Sequence, residues 1–177
     1  MAALTLPSAD RIRELFSYSP ESGLLTRRPR PRSDFWSEAA FVAWNQRFCN
    51  KPIVRKGTGP IQVRVDGKCY LAHRLIFKLQ TGTDPTADVD HRNVTPNDNR
   101  WTNLRAATRQ QNRFNVHPNK TNKIGIKGIS SRQMRYGTAY HVSVNGKYRG
   151  SYRDLPTAIR VRDEIGQQEH GEFFRAR

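Results

Sequence analysis

The sequence predicts an α+β chain made of two small units. A strand–loop–strand–helix unit comes first, and a three-stranded antiparallel sheet backed by one helix follows. Three observations predict this. Short alternating runs turn at Asp66-Gly67 and Asn145-Gly146, dipeptides that favour tight hairpins. Helical spacing of apolar residues recurs only in short stretches between those runs. Apolar residues make up 36% of the 177, which favours several small cores over one large one.

In chain order, Ser8 to Phe16 reads as a short helix, with Ser8 as N-cap and Ile12, Leu15 and Phe16 as its apolar stripe. Tyr18 to Thr26 is a turn leading into a strand, punctuated by Pro20 and Gly23. Arg27 to Arg32 alternates Pro and Arg and cannot be helical, so a basic surface loop is expected. Phe35, Trp36, Phe41, Trp44 and Phe48 follow, and most of them are expected in the core. Ile61 to Val65 and Lys68 to Leu71 form a hairpin, and Ala72 to Leu79 a helix ended by Gly82 and Pro85. Val89 to His91 is a short strand, Arg92 to Arg100 a loop, and Asn103 to Ala107 a second strand. Thr108 caps a helix to about Asn115.

Val116 to Lys123 (VHPNKTNK) has linker composition, which sets units at 1–115 and 124–177. Beyond it, Ile126 to Ser130, Thr138 to Val144 and Lys147 to Tyr152 read as strands. Asp154 or Leu155 opens a helix with Pro156 in its first turn and Ala158, Val161 and Ile165 on one face, and Gly171 ends it.

The formal charge is +16, from 31 Lys and Arg against 15 Asp and Glu. Such a surplus points to a polyanionic partner. Asn99 to Arg153 holds twelve Lys or Arg and no acid, scattered among Asn, Gln, Tyr and Gly and not lined up along an amphipathic helix. That pattern disfavours a membrane surface and favours nucleic-acid phosphate. Cys49 and Cys69 lie far apart, so neither a zinc site nor a disulfide framework is implied, and a reduced, cytoplasmic setting is the expectation. Met1 to Glu14 shows no signal-peptide or membrane-span pattern.

One polar set carries chemistry: Asp90, His91, Asn103 and Asn112. Hydrolysis of a phosphodiester needs an activated water and charge neutralisation at the phosphate. Asp90 and Asn112 offer hard oxygen ligands for Mg²⁺ or Mn²⁺. A neutral His91 can take the proton from water, with the Asn103 side-chain oxygen as the acceptor that fixes its tautomer. Against this, Asp-His can simply close a strand, and asparagines crowd turns for structural reasons. On the residues alone both readings stay open.

The stretch VDHRNVTPNDNRWTNLRAATRQQNRFN (Val89 to Asn115) resembles the active-site segment of the bacteriophage HNH homing endonucleases, a ββα-metal fold. YSPESGLLT, WNQRF and VDGKCYLAHRLIF extend the likeness upstream, over most of residues 14 to 115. The resemblance implies a metal-binding Asp90, a general-base His91, an orienting Asn103 and a metal-binding Asn112. It further implies a divalent cofactor, double-stranded DNA as substrate, and a host-cell cytoplasmic location if phage-encoded. His117, before Pro118, and the helical His73 are read as non-ligands.

KGIS, YHVSVNGKYRGSY and TAIRVRDEIGQQEHGEF make the last unit similar to the AP2 DNA-binding domain, whose exposed sheet face lies in the major groove. Alternation packs Tyr140, Val142 and Val144 on the helix and turns His141 and Ser143 outward. The expected DNA contacts are Arg92, Arg100, Arg105, Arg113, Lys120, Lys123, Lys127, Arg132, Arg135, His141, Ser143, Lys147 and Tyr148. A monomeric, metal-dependent endonuclease with a sequence-reading tail is therefore expected. The alternative is a non-catalytic DNA-binding protein that keeps an inactive HNH fold.

Overall fold

Local caps and turns set most of the elements. The computed structural model describes residues 5–119 and 121–175. Their contacts divide after Ala107 into two units.

In the first unit, the Ser8 hydroxyl accepts from the Arg11 amide and opens helix α1 (Ala9–Leu15), which buries Ile12 and Leu15. The chain runs on into β1 (Phe16–Tyr18), antiparallel to β2 (Leu25–Arg27). Helix α2 (Glu38–Phe48) follows, and then the hairpin β3 (Gln62–Val65) and β4 (Lys68–Leu71). Asp66 and Gly67 take φ of 46° and 79° at its turn, the left-handed pair that a type I′ hairpin requires. Helix α3 (Ala72–Thr81) ends on a left-handed Gly82. A last hairpin pairs β5 (Asp88–His91) with β6 (Leu104–Ala107). One cluster gathers Ile12, Leu15, Val63, Val65, Leu75, Ile76, Val89 and Leu104, so the final hairpin rests on the core through Val89 and Leu104.

The aromatic run departs from expectation. Phe35, Phe41, Trp44 and Phe48 pack edge-on or tilted with centroids 5.5–5.9 Å apart, yet none is buried, and Trp36 is 91% exposed. Guanidinium groups cover the stack: Arg30 lies 4.9 Å from the Trp44 ring and Arg27 5.3 Å from Phe48. Cation–π contact does here what core burial was expected to do.

In the second unit, Thr108 and Gln111 form a reciprocal capping box that opens α4 (Arg109–Phe114). The Phe114 ring stacks on His170 at 3.6 Å, and Lys127 Nζ donates to the carbonyls of Arg113 and Phe114 at 2.7 and 3.1 Å. These contacts draw α4 into the second unit, so the division falls ahead of the linker-like 116–123. The sheet is β7 (Ile129–Met134), β8 (Gly137–Val144) and β9 (Lys147–Tyr152), in that order and antiparallel throughout. β7 starts and ends later than the run Ile126 to Ser130 suggested. Helix α5 (Leu155–His170) is capped by Asp154 and has Pro156 in its first turn.

Ile129, Val142, Val144 and Ala158 form this unit's core, with Tyr140 packed on it. The buried line of α5 is Ala158, Arg162 and Gly166. Val161 lies outside the core cluster and Ile165 at its edge, while Phe174 closes over Gly166 and leaves no room there even for a Cβ. A bulge between Val142 and Ser143 sets Tyr148 opposite Ser143. Arg149 pairs with Glu169 of α5. That contact places Arg149 on the helix side of β9.

Candidate active site

The β5–β6 hairpin sets the geometry. Its register places Asp90 opposite Arg105 and His91 opposite Leu104. Asp90 is 5% exposed, and Arg105 brings both Nε and Nη2 to its Oδ2 at 2.9 Å. Arg105 was expected to contact DNA; instead it is buried at 7% exposure and spent on Asp90. Directly opposite residues of an antiparallel pair share a face, so the arginine follows the carboxylate inward.

His91 is buried, and its Nε2 lies 3.0 Å from the side-chain oxygen of Asn99. An amide oxygen only accepts, so in the neutral ring Nε2 carries the proton and the basic lone pair falls on Nδ1. The His73 ring of α3 meets His91 edge-on, with centroids 4.9 Å apart. Burial above all, with His91 and Arg74 beside it, pushes the His73 imidazole down to about 3, against an upward pull from Asp88. His73 is thus a neutral packing partner.

Asn103 does different work from that expected. Its Oδ1 accepts from the Asn93 amide at 3.0 Å, and its Nδ2 donates to Asn93 Oδ1 at 3.0 Å and to the Asp98 carbonyl at 2.7 Å. It ties both ends of loop 92–100 together, and the side chain that orients His91 is Asn99. Asn93 also donates to Asp98, whose carboxylate is gripped by Arg100 at 2.6 and 2.8 Å. Those hydrogen bonds, Arg100's first, hold Asp98 down to about 2.

Asn99 is itself fixed from outside the loop. It is 2% exposed, and its carbonyl accepts from the Tyr18 hydroxyl at 2.8 Å. Gly23, at φ +74°, lies so close beneath that a Cβ would fall 2.6 Å from the Asn99 carbonyl carbon. The β1–β2 hairpin therefore clamps the residue that aims the histidine. Sequence reading passed over Asn99 because it sits in an Asn-rich loop. The usable signal was DNRWTNLR itself, in which a buried polar side chain needs a partner and the nearby His91 needs an acceptor.

The remaining candidates are scattered. Asn112 lies on α4 in the second unit, half-buried. Arg100 is exposed but paired with Asp98, and Arg92, Arg113 and Lys123 are exposed. Lys127 is half-buried as the carbonyl cap of α4, and Lys120 falls outside the described residues. Arg132, Arg135, Ser143, Lys147 and Tyr148 are exposed, with His141 half-buried and its ring 6.1 Å from that of Tyr148. His141, Ser143 and Tyr148 thus share the sheet face turned away from α5.

Among the described residues no three His, Cys, Asp or Glu side chains converge as a metal cage. The donors on the page are one carboxylate and several amide oxygens, a hard set that fits Mg²⁺ or Mn²⁺ with water completing the shell. Among them, too, no helix is long and apolar enough to cross a membrane. Residues 70–114, from β4 to the end of α4, match the family described as HNH endonuclease. No curated protein and no solved structure matches the chain.

Proposed function

We propose that this chain is a metal-dependent DNA endonuclease of the HNH type, related in role to the homing enzymes. Its second unit holds the enzyme on duplex DNA through an AP2-like sheet face carrying His141, Ser143 and Tyr148. The observation that carries the reading is a buried His91, aimed by Asn99 and next to Asp90, inside the stretch that matches the HNH family.

His91 accepts the proton of the attacking water at Nδ1, and Asn99 holds the ring so that Nδ1 is the basic nitrogen. Asp90 is the carboxylate ligand and Asn112 the amide ligand of one divalent ion, the latter on the strength of the family resemblance. Bound there, the ion supplies charge neutralisation at the scissile phosphate and the leaving 3′ oxygen. Arg105 holds Asp90 in place and offsets its charge. Asn103 keeps the loop shut around the site. One such site per chain makes a nick in one strand the product of a monomer.

The test is conversion of supercoiled plasmid to open circles in Mg²⁺ or Mn²⁺, stopped by EDTA. His91→Ala is expected to slow nicking by about 10²–10⁴-fold while DNA binding persists. Nicking unchanged in that variant removes His91 as the base. The Asp90–Arg105 pair favours one other reading, in which the arginine takes the place of the metal and the fold only binds DNA. That reading predicts no nicking with any divalent ion.

A further inference from the structure

A groove of about 740 Å³ opens in the second unit, and Ser143, at the margin of the sheet face assigned to duplex DNA, is among its lining residues. Its size is that of a ligand site. Arg109, Arg113, Lys127, Arg162 and Arg175 line it, and among the described lining residues there is no Asp or Glu. Rings make up much of the rest: Phe114, stacked on His170, and Phe174, over which the Arg162 guanidinium lies at 5.4 Å.

Concentrating cations beside one another is unfavourable unless an anion joins them. Part of that cost is visible at Lys127, whose ammonium is pressed below its ordinary range by burial and then by Arg113, whereas Arg162 keeps Asp163 at 2.9 Å as its own partner. Burial lowers the His170 imidazole too, against an upward pull from Glu169, and its Nε2 is buried without a hydrogen-bond partner among the described residues. The groove therefore sets guanidinium groups beside aromatic rings.

A duplex presents phosphates but hides its base faces in the stack. An unpaired strand presents both. We propose that this groove binds a short single-stranded DNA segment, phosphates on Arg109 and Arg113 and an unstacked base against Phe114. The inference does not depend on the nuclease reading, since it concerns binding without metal.

The experiment is fluorescence anisotropy of the full chain in EDTA, which keeps any nuclease activity silent, with labelled oligo(dT) and a labelled duplex compared. The double variant Arg109→Glu/Arg113→Glu is expected to weaken oligo(dT) binding by about tenfold or more. The slope of log affinity against log salt should become shallower by about 1.4, the value for two single-strand phosphates. Gln110→Trp, which fills the groove without changing charge, is expected to weaken oligo(dT) while leaving that slope and duplex binding nearly as they were. Circular dichroism checks the fold, and if the double variant unfolds, Gln110→Trp decides. Unchanged oligo(dT) affinity in a folded variant overturns the assignment, as does an equal loss for the duplex. Thymidine 5′-monophosphate displacing the oligonucleotide at matched nucleotide concentration would also overturn it, by making the site one for free nucleotides.

Discussion

Arg105 places both of its forked donors on a single oxygen of Asp90, 2.9 Å away, with each side chain all but sealed from solvent. Two ions taken out of water stabilise a fold only while they stay together. Arg105→Ala removes the arginine's charge from a buried carboxylate and is expected to lower unfolding free energy by about 3–5 kcal/mol in urea. The double variant Asp90→Leu/Arg105→Leu is expected to recover most of that loss, although nicking goes. A deficit under about 1 kcal/mol for Arg105→Ala would mean that water reaches the pair.

In the proposed reaction Asn99 acts through His91. Asn99→Ala keeps the backbone bond to Tyr18 but removes the acceptor at Nε2. Nicking is expected to fall by about 10–100-fold, the usual cost of losing an orienting partner. Nitrogen NMR of the His91 ring should at the same time show the Nε2-protonated tautomer giving way to a mixture. A ring spectrum identical to wild type would reduce Asn99 to a space-filler.

His73 makes stability depend on pH. The unfolded chain takes up a proton near 6.5, whereas the folded imidazole, buried beside His91 and Arg74, takes it only at about 3. Its contribution is intact above 6.5 and is lost progressively as pH falls from 6.5 towards 3. One such group gives a slope of about 1.4 kcal/mol per pH unit in that window. Urea midpoints at several pH values should show the slope for wild type and a flatter one for His73→Leu. Equal slopes would assign the acid sensitivity elsewhere.

Gly23 is the pivot under the loop. A Cβ there would lie 2.4 Å from the Arg100 nitrogen, and φ is +74° besides. Gly23→Ala is expected to cost about 1–3 kcal/mol and to reduce nicking by displacing Asn99. A variant with wild-type stability and activity would show that the hairpin and loop can separate freely.

What the sequence made legible was local. Ser8, Thr108 with Gln111, Asp66-Gly67 and Asn145-Gly146 cap or turn the chain where they stand, using atoms within three or four residues. The strands of the β5–β6 hairpin were legible too, since their polar residues keep motif spacing. What stayed hidden depends on register and on long loops. Asn93, Asn99 and Asn103 share one composition, and only the closed loop distinguishes the two that hold it from the one that faces His91. Arg105 looked like every other basic residue until β6 placed it across from Asp90. The aromatics around α2 looked like core because their coverage comes from arginines on a preceding segment.

Helix α4 has six residues, too few to persist on their own in water. Its last carbonyls rest on Lys127 and its terminal ring on His170, both contributed by chain that follows it. A fragment cut at Asn115, where the composition invites a truncation, would carry the entire HNH-matching stretch and still lack the props of its final turn. Asn112 would then sit on a fraying segment. The stretch that matches the HNH family thus owes its last turn to chain that lies beyond it.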